Sequence, residues 1–267
     1  MNCQRWRNGR ERYRPAGEVF DTSRAEVQAI DERTAKSFVI GHHYAASYPA
    51  ARFRAGLFIK DSLAPDRLAG VCVFSVPMSQ QIIPKYFPIE PNAGVELGRL
   101  VLLDDVAANA ESWFVARAFR LLKERLPQVQ GVLSYSDPMP RVSAAGELVK
   151  RGHIGTVYQA LNASYRGVSA SRQITLSADG RIVSGRALSK LRAGTKGEAY
   201  AYDQLRAMGA PDRQPFEDAT AYVRRAIKEG GFRRMQHPGN HTYTWWLGDR
   251  RQRPSWPEGK YPKLQPQ

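Results

Sequence analysis

The succession of apolar segments between residues 52 and 135 constrains the fold more than any other feature of this chain. Three segments have strand patterns before a helix begins: Arg52–Ile59, Ala69–Val76 and Val95–Leu103. A turn containing Pro65 separates the first two, which favours an antiparallel hairpin. The helix that follows has one apolar face and ends near Pro127, and a fourth strand covers Gly131–Tyr135. This order predicts a mixed α/β sheet flanked by helices.

The remaining segments divide the chain into five predicted regions. A helical pattern runs from Ser23 to Gly41, Gly155–Asn162 is a short predicted helix, and Thr242–Leu247 is a late strand. We predict a flexible basic arm over 1–22, a core over 23–183, a basic helical insertion over 184–235, a returning strand of the core over 236–248 and a basic tail over 249–267.

The balance of charge is strongly basic. The 267 residues include 40 Lys and Arg against 25 Asp and Glu, a net charge of +15. Such a surplus attracts polyanions, so nucleic acid is the expected partner, ahead of an anionic membrane. Two cysteines, Cys3 and Cys72, exclude a disulfide framework and a four-cysteine zinc site. We recognise no bilayer-spanning run and no signal peptide, and therefore expect a cytoplasmic protein without a membrane partner.

Polar rings are concentrated at the end of the first predicted helix, in His42-His43-Tyr44. Packing explains them poorly, because such rings need partners when they are buried. His43 is a candidate base or metal ligand, and Tyr44 is a candidate proton donor or ligand. Asp137 directly follows a predicted central strand, where sheets of this kind place reactive groups. It either orients a substrate or binds metal, or it caps the turn before Pro138.

The loop before the strongest helix is a candidate anion site. Small side chains such as Ala108 and Ala110 leave backbone N–H groups open beside the positive end of the helix dipole. The loop lacks glycine, however, and it carries acidic residues that repel phosphate: Asp104, Asp105 and Glu111. The alternative is a plain helix cap by Asn109.

Two residue pairs are interpreted from their spacing. Glu96 and Arg99 are three positions apart in a predicted strand, so we expect them on opposite faces. Arg99 lies within an apolar segment and needs a carboxylate or phosphate partner. Tyr158 and Asn162 are one helical turn apart and are expected to face the same way.

Five short motifs, taken in their order and spacing, resemble the Mom family of phage and prophage proteins. They are His42–Tyr44, Glu96–Leu100, Asn109–Phe114, Ser134–Pro138 and Gly152–Asn162, with a weaker likeness at Gly239–Tyr243. The resemblance covers residues 38–167 and implies a fold like that of the GNAT acetyltransferases. It also implies conversion of the N6 amino group of DNA adenine to a carbamoylmethylamino group, which protects phage DNA from restriction in the host cytoplasm.

The same resemblance implies a donor, acetyl-CoA or a related acyl-CoA, and a set of site residues. The implied catalytic residues are His43, Tyr44, Asp137 and Tyr158, the last as an acid near the cofactor sulfur. The implied cofactor-binding residues are Leu100, Val101, Leu102, Ala108, Asn109, Ala110, Ser112 and Asn162. Tyr158 is otherwise an ordinary core aromatic.

The implied product raises the question of a metal. A carbamoylmethyl group is joined to nitrogen through a methyl carbon, whereas thioester acyl transfer attacks the carbonyl carbon and gives an acetamide. This mismatch motivates a hypothesis of iron-assisted chemistry, with His43, Tyr44 and Asp137 as the ligands.

Double-stranded DNA is the expected macromolecular partner, and a homodimer is left open. The predicted DNA-binding residues are Arg99, Arg186, Lys190, Arg192, Lys196, Arg224 and Arg225, as phosphate ligands. Adenine N6 lies within the base stack, so the base must be flipped or the DNA opened. The residues that are either stacking platforms or core aromatics are Tyr48, Tyr86, Phe87 and Trp113.

Two other functions fit the same pattern. An acyltransferase for a small amine or a protein lysine would share the fold without needing so much positive charge. A non-catalytic DNA-binding protein on the same scaffold would explain the missing glycine-rich loop.

Overall fold

The computed structural model describes residues 4–7, 10–13, 17–45, 47–60, 64–79, 81–255, 257 and 259–263, with the backbone alone for 4–7 and 10–13. The strands are β1 (Gln4–Arg7), β2 (Arg10–Tyr13), β3 (Ala25–Ala29), β4 (Ala51–Ile59), β5 (Arg67–Ser75), β6 (Gly94–Leu102), β7 (Gly131–Ser136), β8 (Arg141–Val142), β9 (Leu148–Lys150), β10 (Ser164–Val168), β11 (Arg172–Leu176), β12 (Ile182–Val183), β13 (Arg233–His237) and β14 (His241–Trp246). The helices are α1 (Glu32–His42), α2 (Ile82–Tyr86), α3 (Ala110–Arg125), α4 (Thr156–Ala160), α5 (Gly185–Ala193), α6 (Glu198–Arg206) and α7 (Ala219–Glu229).

The chain divides into two compact units. The sheet unit comprises residues 1–137, 153–168 and 240–267, and the insertion unit comprises 138–152 and 169–239. The insertion is therefore larger than the predicted 184–235. The reason is that β11, β12 and β13 form one sheet, in the order β12-β11-β13, beside α5, α6 and α7.

Seven strands form the sheet of the sheet unit, in the order β10-β14-β7-β6-β5-β4-β3. The neighbouring pairs are antiparallel except β6 and β7, which are parallel. α3 makes the crossover that a parallel pair needs. The predicted α/β class is confirmed in its architecture: a mixed sheet flanked by helices, with an insertion before the last strand.

Apolar side chains fix one helix on each face of this sheet. Phe114 and Leu122 of α3 are fully buried in a cluster that includes Phe74. α1 covers the opposite face, where Val39 packs against Val71. Burial of side chains of this size contributes about 1.5–3 kcal/mol each. The sheet is therefore covered by one helix on each face.

The predicted helix over 23–41 is wrong at its start. Ala25–Ala29 is β3, which pairs antiparallel with β4. α1 begins only at Glu32, where the Asp31 carboxylate accepts the N–H of Thr34 at 2.9 Å, and a cap of this kind contributes about 1 kcal/mol. Pairing with the edge of the sheet decides the structure of residues whose apolar spacing also fitted a helix.

The two ends of the chain contain more ordered structure than the sequence predicted. The predicted arm contains β1 and β2, which pair antiparallel; its residues 1–3, 8–9 and 14–16, Cys3 included, lie outside the described residues. In the tail, the Tyr261 hydroxyl donates to the Ala163 carbonyl at 2.6 Å. No helix in the described chain combines the length and apolar character needed to cross a membrane.

Candidate active site

The two parallel strands separate where the candidate residues gather. β6 and β7 pair over Gly94–Glu96 and Gly131–Leu133, and no further pair joins them within the described residues. Just beyond, the Ser134 hydroxyl donates to the carbonyl oxygen of Leu97 at 2.9 Å. We call this place, where β6 continues without β7 beside it, the strand opening.

His43 and Tyr44 reach the strand opening from the end of α1. The helix ends where the N–H of His43 bonds the Val39 carbonyl, and the His43 and Tyr44 rings lie 4.2 Å apart between centroids. The Nδ1 atom of His43 accepts the N–H of Ala45 at 3.1 Å. Burial, and then the charges of Arg99 and His153, lower the pKa of His43 to about 3. His43 is therefore neutral at physiological pH and is a weak base.

A β-bulge brings Glu96 and Arg99 together, contrary to the prediction of opposite faces. Val73 of β5 is opposite Arg99, while Phe74 is opposite Leu97, so Gly98 is an extra residue in β6. A Cβ atom at Gly98 would lie 2.5 Å from the Ser75 hydroxyl oxygen, so a larger residue would disrupt the bulge. The alternation of faces is interrupted at this position, and odd spacing no longer separates the two charges.

Glu96 is the carboxylate that the sequence interpretation did not select as a site residue. Burial raises its pKa to about 7, and the positive charge of Arg99 partly opposes that rise. A carboxyl with this pKa exchanges a proton near neutral pH. The sequence feature that could have identified Glu96 is a carboxylate within an apolar strand. A charge within that same strand is what identified Arg99.

Arg99 makes three hydrogen bonds within the sheet unit, and its role as a DNA ligand stays a prediction. Its Nε and Nη2 atoms donate to the carbonyl and hydroxyl oxygens of Ser47 at 3.0 and 2.8 Å, and Nη1 donates to the Gly98 carbonyl at 2.6 Å. Burial lowers the pKa of Arg99, while the neighbouring Tyr44 and Glu96 act in the opposite direction. Arg99 therefore ties the loop after Tyr44 to the strand opening.

Tyr158, on α4, lies at the strand opening, where its hydroxyl interacts with Ser134 and Glu96. Burial raises the pKa of its hydroxyl, and a hydrogen bond with Ser134 opposes the rise. The hydroxyl consequently keeps its proton at neutral pH and is a candidate acid. Asn162 does not share a helical face with it, because α4 ends at Ala160 and Asn162 has a left-handed φ of 53°.

Asp137 is connected to this cluster through its backbone. It follows β7 directly, and its carbonyl oxygen accepts the N–H of His153 at 2.9 Å. His153 in turn lies close enough to His43 to lower its pKa. Of the predicted catalytic residues, the structure thus gathers His43, Tyr44 and Tyr158, with Asp137 one contact away.

The donors predicted for iron do not fit a metal site. Among the described residues, no group of three or more His, Cys, Asp or Glu side chains is arranged to hold a metal ion. One ring nitrogen of His43 already accepts a backbone N–H, so it is not open to a metal. We derive no step through iron.

The predicted cofactor residues lie along β6 and at the start of α3. Leu100, Val101 and Leu102 continue β6 past the strand opening. Asn109 precedes α3 with a left-handed φ of 67°, and its side chain makes no capping bond within the described residues, so the plain-cap alternative is wrong. The N–H of Ala108 donates to a carboxylate oxygen of Glu18 at 3.1 Å. An anion therefore already occupies this loop.

The predicted phosphate ligands of the insertion unit are exposed, with one exception. The exposed ones are Arg186, Lys190, Arg192, Lys196 and Arg224. They do not all share one face, because Arg192 lies about 200° around α5 from Lys190. Arg225 is the exception: its Nε and Nη2 atoms bond the two Glu217 oxygens at 2.7 and 2.8 Å, and Nη1 bonds Glu229 at 3.0 Å. It is an internal clamp rather than a phosphate ligand.

All four predicted stacking aromatics lie in or pack against apolar clusters of the sheet unit. Tyr86 and Phe87 are buried beside Ile83 and Leu133. Trp113 makes an edge contact with Phe20 at 5.2 Å, and the Arg117 guanidinium lies 3.6 Å from its ring centroid. Tyr48 is half-buried against the α1 cluster. The Tyr44 ring, beside His43, is partly exposed.

Comparison with known proteins identifies one sequence family. The model of the Mom protein family matches residues 24–263. No curated protein sequence matches the chain. Solved structures with similarity include a tandem GNAT protein from the clavulanic acid biosynthesis pathway, 9% identical over 84% of this chain and 99% of that one, at a TM-score of 0.42.

Two malonyl-CoA decarboxylases, from Rhodopseudomonas palustris and Agrobacterium vitis, also match. They are 12% and 13% identical over 86% of this chain and 62% of theirs, each at a TM-score of 0.35. At these TM-scores the likenesses do not by themselves establish a shared fold or activity.

Proposed function

The chain belongs to the Mom protein family, and from this premise we propose that it is a DNA modification enzyme acting on the N6 amino group of adenine. The observation that carries the proposal is the cluster of Glu96, Arg99, His43 and Tyr158 at the strand opening. Ionisable groups with perturbed pKa values, gathered in one place, are typical of catalytic sites. The net charge of +15 supports a polyanionic substrate.

Glu96 is the proposed proton acceptor. The lone pair of the adenine amino group is delocalised into the ring, so the nitrogen must lose a proton as it attacks. A base is most effective when its pKa lies near the working pH, and the pKa of Glu96 is about 7. The pKa of His43, about 3, is too low for this role. His43 serves instead as a neutral hydrogen-bonding group.

Tyr158 is the proposed proton donor, and Arg99 is a positioning residue. The Tyr158 hydroxyl is protonated at neutral pH and lies at the strand opening, so it is placed to supply a proton as charge develops on the departing sulfur. Arg99 holds Ser47 through two hydrogen bonds, so it fixes the loop that begins at Tyr44. Tyr44 is 40% exposed and is available to stack on a base that enters the site.

The proposed co-substrate is an acyl-CoA, which supplies an electrophilic carbonyl carbon and a thiol leaving group when bound. The residues present fit such a donor at two places. The backbone of β6 past Gly98 has no paired strand on the side of the strand opening, among the described residues, and would bond extended amide groups. The N–H of Ala108 binds the Glu18 carboxylate, an anion that a phosphate group would replace.

The proposed reaction is transfer of the acyl group from the thioester to N6. A bond forms between N6 and the acyl carbon, the carbon–sulfur bond breaks, Glu96 receives the N6 proton and Tyr158 supplies one to the departing sulfur. The product is an acyl group on N6. A carbamoylmethylamino group is joined through a different carbon, so the mass of the modified nucleoside distinguishes the two products.

One observation favours a second candidate, a DNA-binding protein without catalysis. The anion loop at Ala108 is already filled by Glu18, as it would be in a protein that no longer binds a donor. The two candidates share the basic surface and differ in whether DNA is changed.

The experiment that tests the proposal is nucleoside mass spectrometry of plasmid DNA from cells that express the protein. We expect an adenosine species of increased mass, which is lost with His43→Ala and Asp137→Ala together. Unmodified DNA from cells with soluble, folded protein would instead support the binding candidate.

A further inference from the structure

Phe216 is the most exposed large apolar side chain in the described part of the protein. It is 107% exposed relative to a reference residue, and Tyr200, in the same unit, is 68% exposed. It lies in the loop between α6 and α7, directly after Pro215. An exposed aromatic ring forgoes the free energy that burial would provide.

The backbone at Phe216 is strained. Its φ is 61°, and the other non-glycine residues with positive φ in the described chain are two asparagines, Asn109 and Asn162. Asparagine tolerates this left-handed conformation, whereas a bulky aromatic residue rarely adopts it. Strain of this kind persists where the surrounding structure imposes it, and it is concentrated at functional sites.

Hydrogen bonds on both sides of Phe216 impose this conformation. The Arg213 guanidinium donates to the Glu217 carbonyl through Nε and Nη2, at 3.0 and 2.9 Å, and to the Glu198 carboxylate at 3.1 Å. The Glu217 carboxylate accepts two bonds from Arg225 and one from the N–H of Gln214 at 3.0 Å. These bonds hold the loop backbone on both sides of Phe216, and the ring is exposed to solvent.

The charge of the insertion unit indicates what this ring contacts. The unit contains 16 Lys and Arg against 8 Asp and Glu, a net charge of +8 out of +15 for the whole chain. A protein partner with a complementary acidic surface and duplex DNA both match this sign. DNA is favoured because its stacked bases also accept an apolar ring, whereas charge complementarity alone leaves the ring unexplained.

We propose that Phe216 inserts between stacked base pairs of duplex DNA, as an apolar wedge on a unit whose net charge is +8. Proteins that insert such side chains partly unstack a base step and kink the duplex, while Arg and Lys contact the phosphates. A loop backbone held in this way lowers the entropy lost when the ring enters the stack. The inference rests on the proposed function because both require duplex DNA.

The test uses the full chain and a duplex that contains 2-aminopurine, whose fluorescence rises when it unstacks. Phe216→Asn removes the ring and keeps a residue that tolerates positive φ, and Phe216→Trp keeps an aromatic ring. We expect Phe216→Asn to bind duplex roughly 5- to 100-fold more weakly, with the fluorescence rise lost. Its salt dependence should match the wild type, because no phosphate contact is removed. Phe216→Trp should restore both signals, and Tyr200→Ala should change neither.

The proposal is overturned if Phe216→Asn binds and unstacks the duplex as the wild type does. It is also overturned if the wild type is a dimer that Phe216→Asn dissociates with DNA binding intact, since the ring would then contact a second copy. Measuring adenine modification in the same samples distinguishes failure of the insertion proposal from failure of the proposed function. If the DNA is modified but Phe216→Asn has no effect on unstacking, only the insertion proposal is contradicted. If the wild type unstacks the duplex but leaves adenine unmodified, only the enzyme proposal is contradicted.

Discussion

In the sheet unit, the charged side chains of the candidate site interact with one another. In the insertion unit, most of the predicted phosphate ligands are exposed to solvent. Glu96 and Arg99 interact at the strand opening, and their pKa values are shifted by burial. On the insertion unit, cations such as Lys190 and Arg224 are exposed. Groups buried together are suited to proton transfer, and groups exposed together attract phosphates. Separate variants should therefore remove chemistry and DNA binding independently.

The variant with the largest expected effect is Glu96→Gln, which tests whether catalysis can be lost without loss of DNA binding. We expect the rate of adenine modification to fall by a factor of about 100 or more, because general base catalysis contributes roughly that much. DNA affinity should stay within twofold, as measured by fluorescence anisotropy. The matched control is Glu26→Gln, which removes an exposed carboxylate from β3 of the same sheet.

Glu96→Gln should also keep the fold. A carboxyl whose pKa rises on folding, here from an ordinary 4.5 to about 7, destabilises the folded state as pH increases above its ordinary pKa. The amide lacks that charge, so thermal unfolding at neutral pH should occur at the same temperature or higher. A lower unfolding temperature would assign Glu96 a structural role instead.

The next effect concerns the exposed cations of the insertion unit. Replacing Arg186, Lys190, Arg192, Lys196 and Arg224 with glutamine should weaken duplex binding about 10- to 100-fold at moderate salt. The slope of log affinity against log salt should fall by about 0.9 for each lost phosphate contact. Replacing Arg33, Lys36 and Arg125 of the sheet unit is the control, and an equal loss there would place the DNA elsewhere.

A smaller effect separates Arg225 from its neighbour Arg224. Arg225→Gln should lower the unfolding temperature by several degrees, because the Glu217 carboxylate loses two hydrogen bonds, whereas Arg224→Gln should not. Arg225 lowers the pKa of Glu217 to about 2, so this stabilisation is present above the ordinary pKa of 4.5 and is lost as pH falls towards 2. Calorimetry at several pH values measures both. Equal effects of the two variants on the unfolding temperature would contradict the role of Arg225 as an internal clamp.

The smallest expected effect is at the anion loop. Glu18→Gln should strengthen acyl-CoA binding severalfold, because a phosphate group no longer competes with a carboxylate for the N–H of Ala108. Isothermal titration calorimetry with acetyl-CoA measures it, with Asp21→Asn as the control. Unchanged or weaker binding would mean that the donor does not reach this loop.

Much of the sheet could be predicted from the sequence because its signals are local. β4, β5 and β7 follow runs of apolar residues, and α3 has a clear apolar face. β3 was missed because its pairing partners in β4 lie 26 to 34 residues further along the chain, from Ala29↔Ala55 to Ala25↔Ile59. Pairing rather than local spacing decides its structure.

The candidate site could be predicted only in part. His43, Tyr44 and Tyr158 stood out by residue type, but the meeting of Glu96 and Arg99 depends on a bulge at Gly98 that periodicity does not reveal. Arg225 was predicted as a phosphate ligand because the sequence shows its charge but not that Glu217 and Glu229 bind it. Phe216 was missed because exposure is a property of the folded loop.

The most direct test of the account is the rate of adenosine modification in a defined duplex, followed by nucleoside mass spectrometry at pH values on both sides of 7. Because Glu96 must be deprotonated to accept the N6 proton, the rate should rise with pH and level off above its pKa of about 7, and Glu96→Gln should abolish that rise. A wild-type rate that does not change across this range, or a Glu96→Gln variant that retains the full rate, would contradict the account.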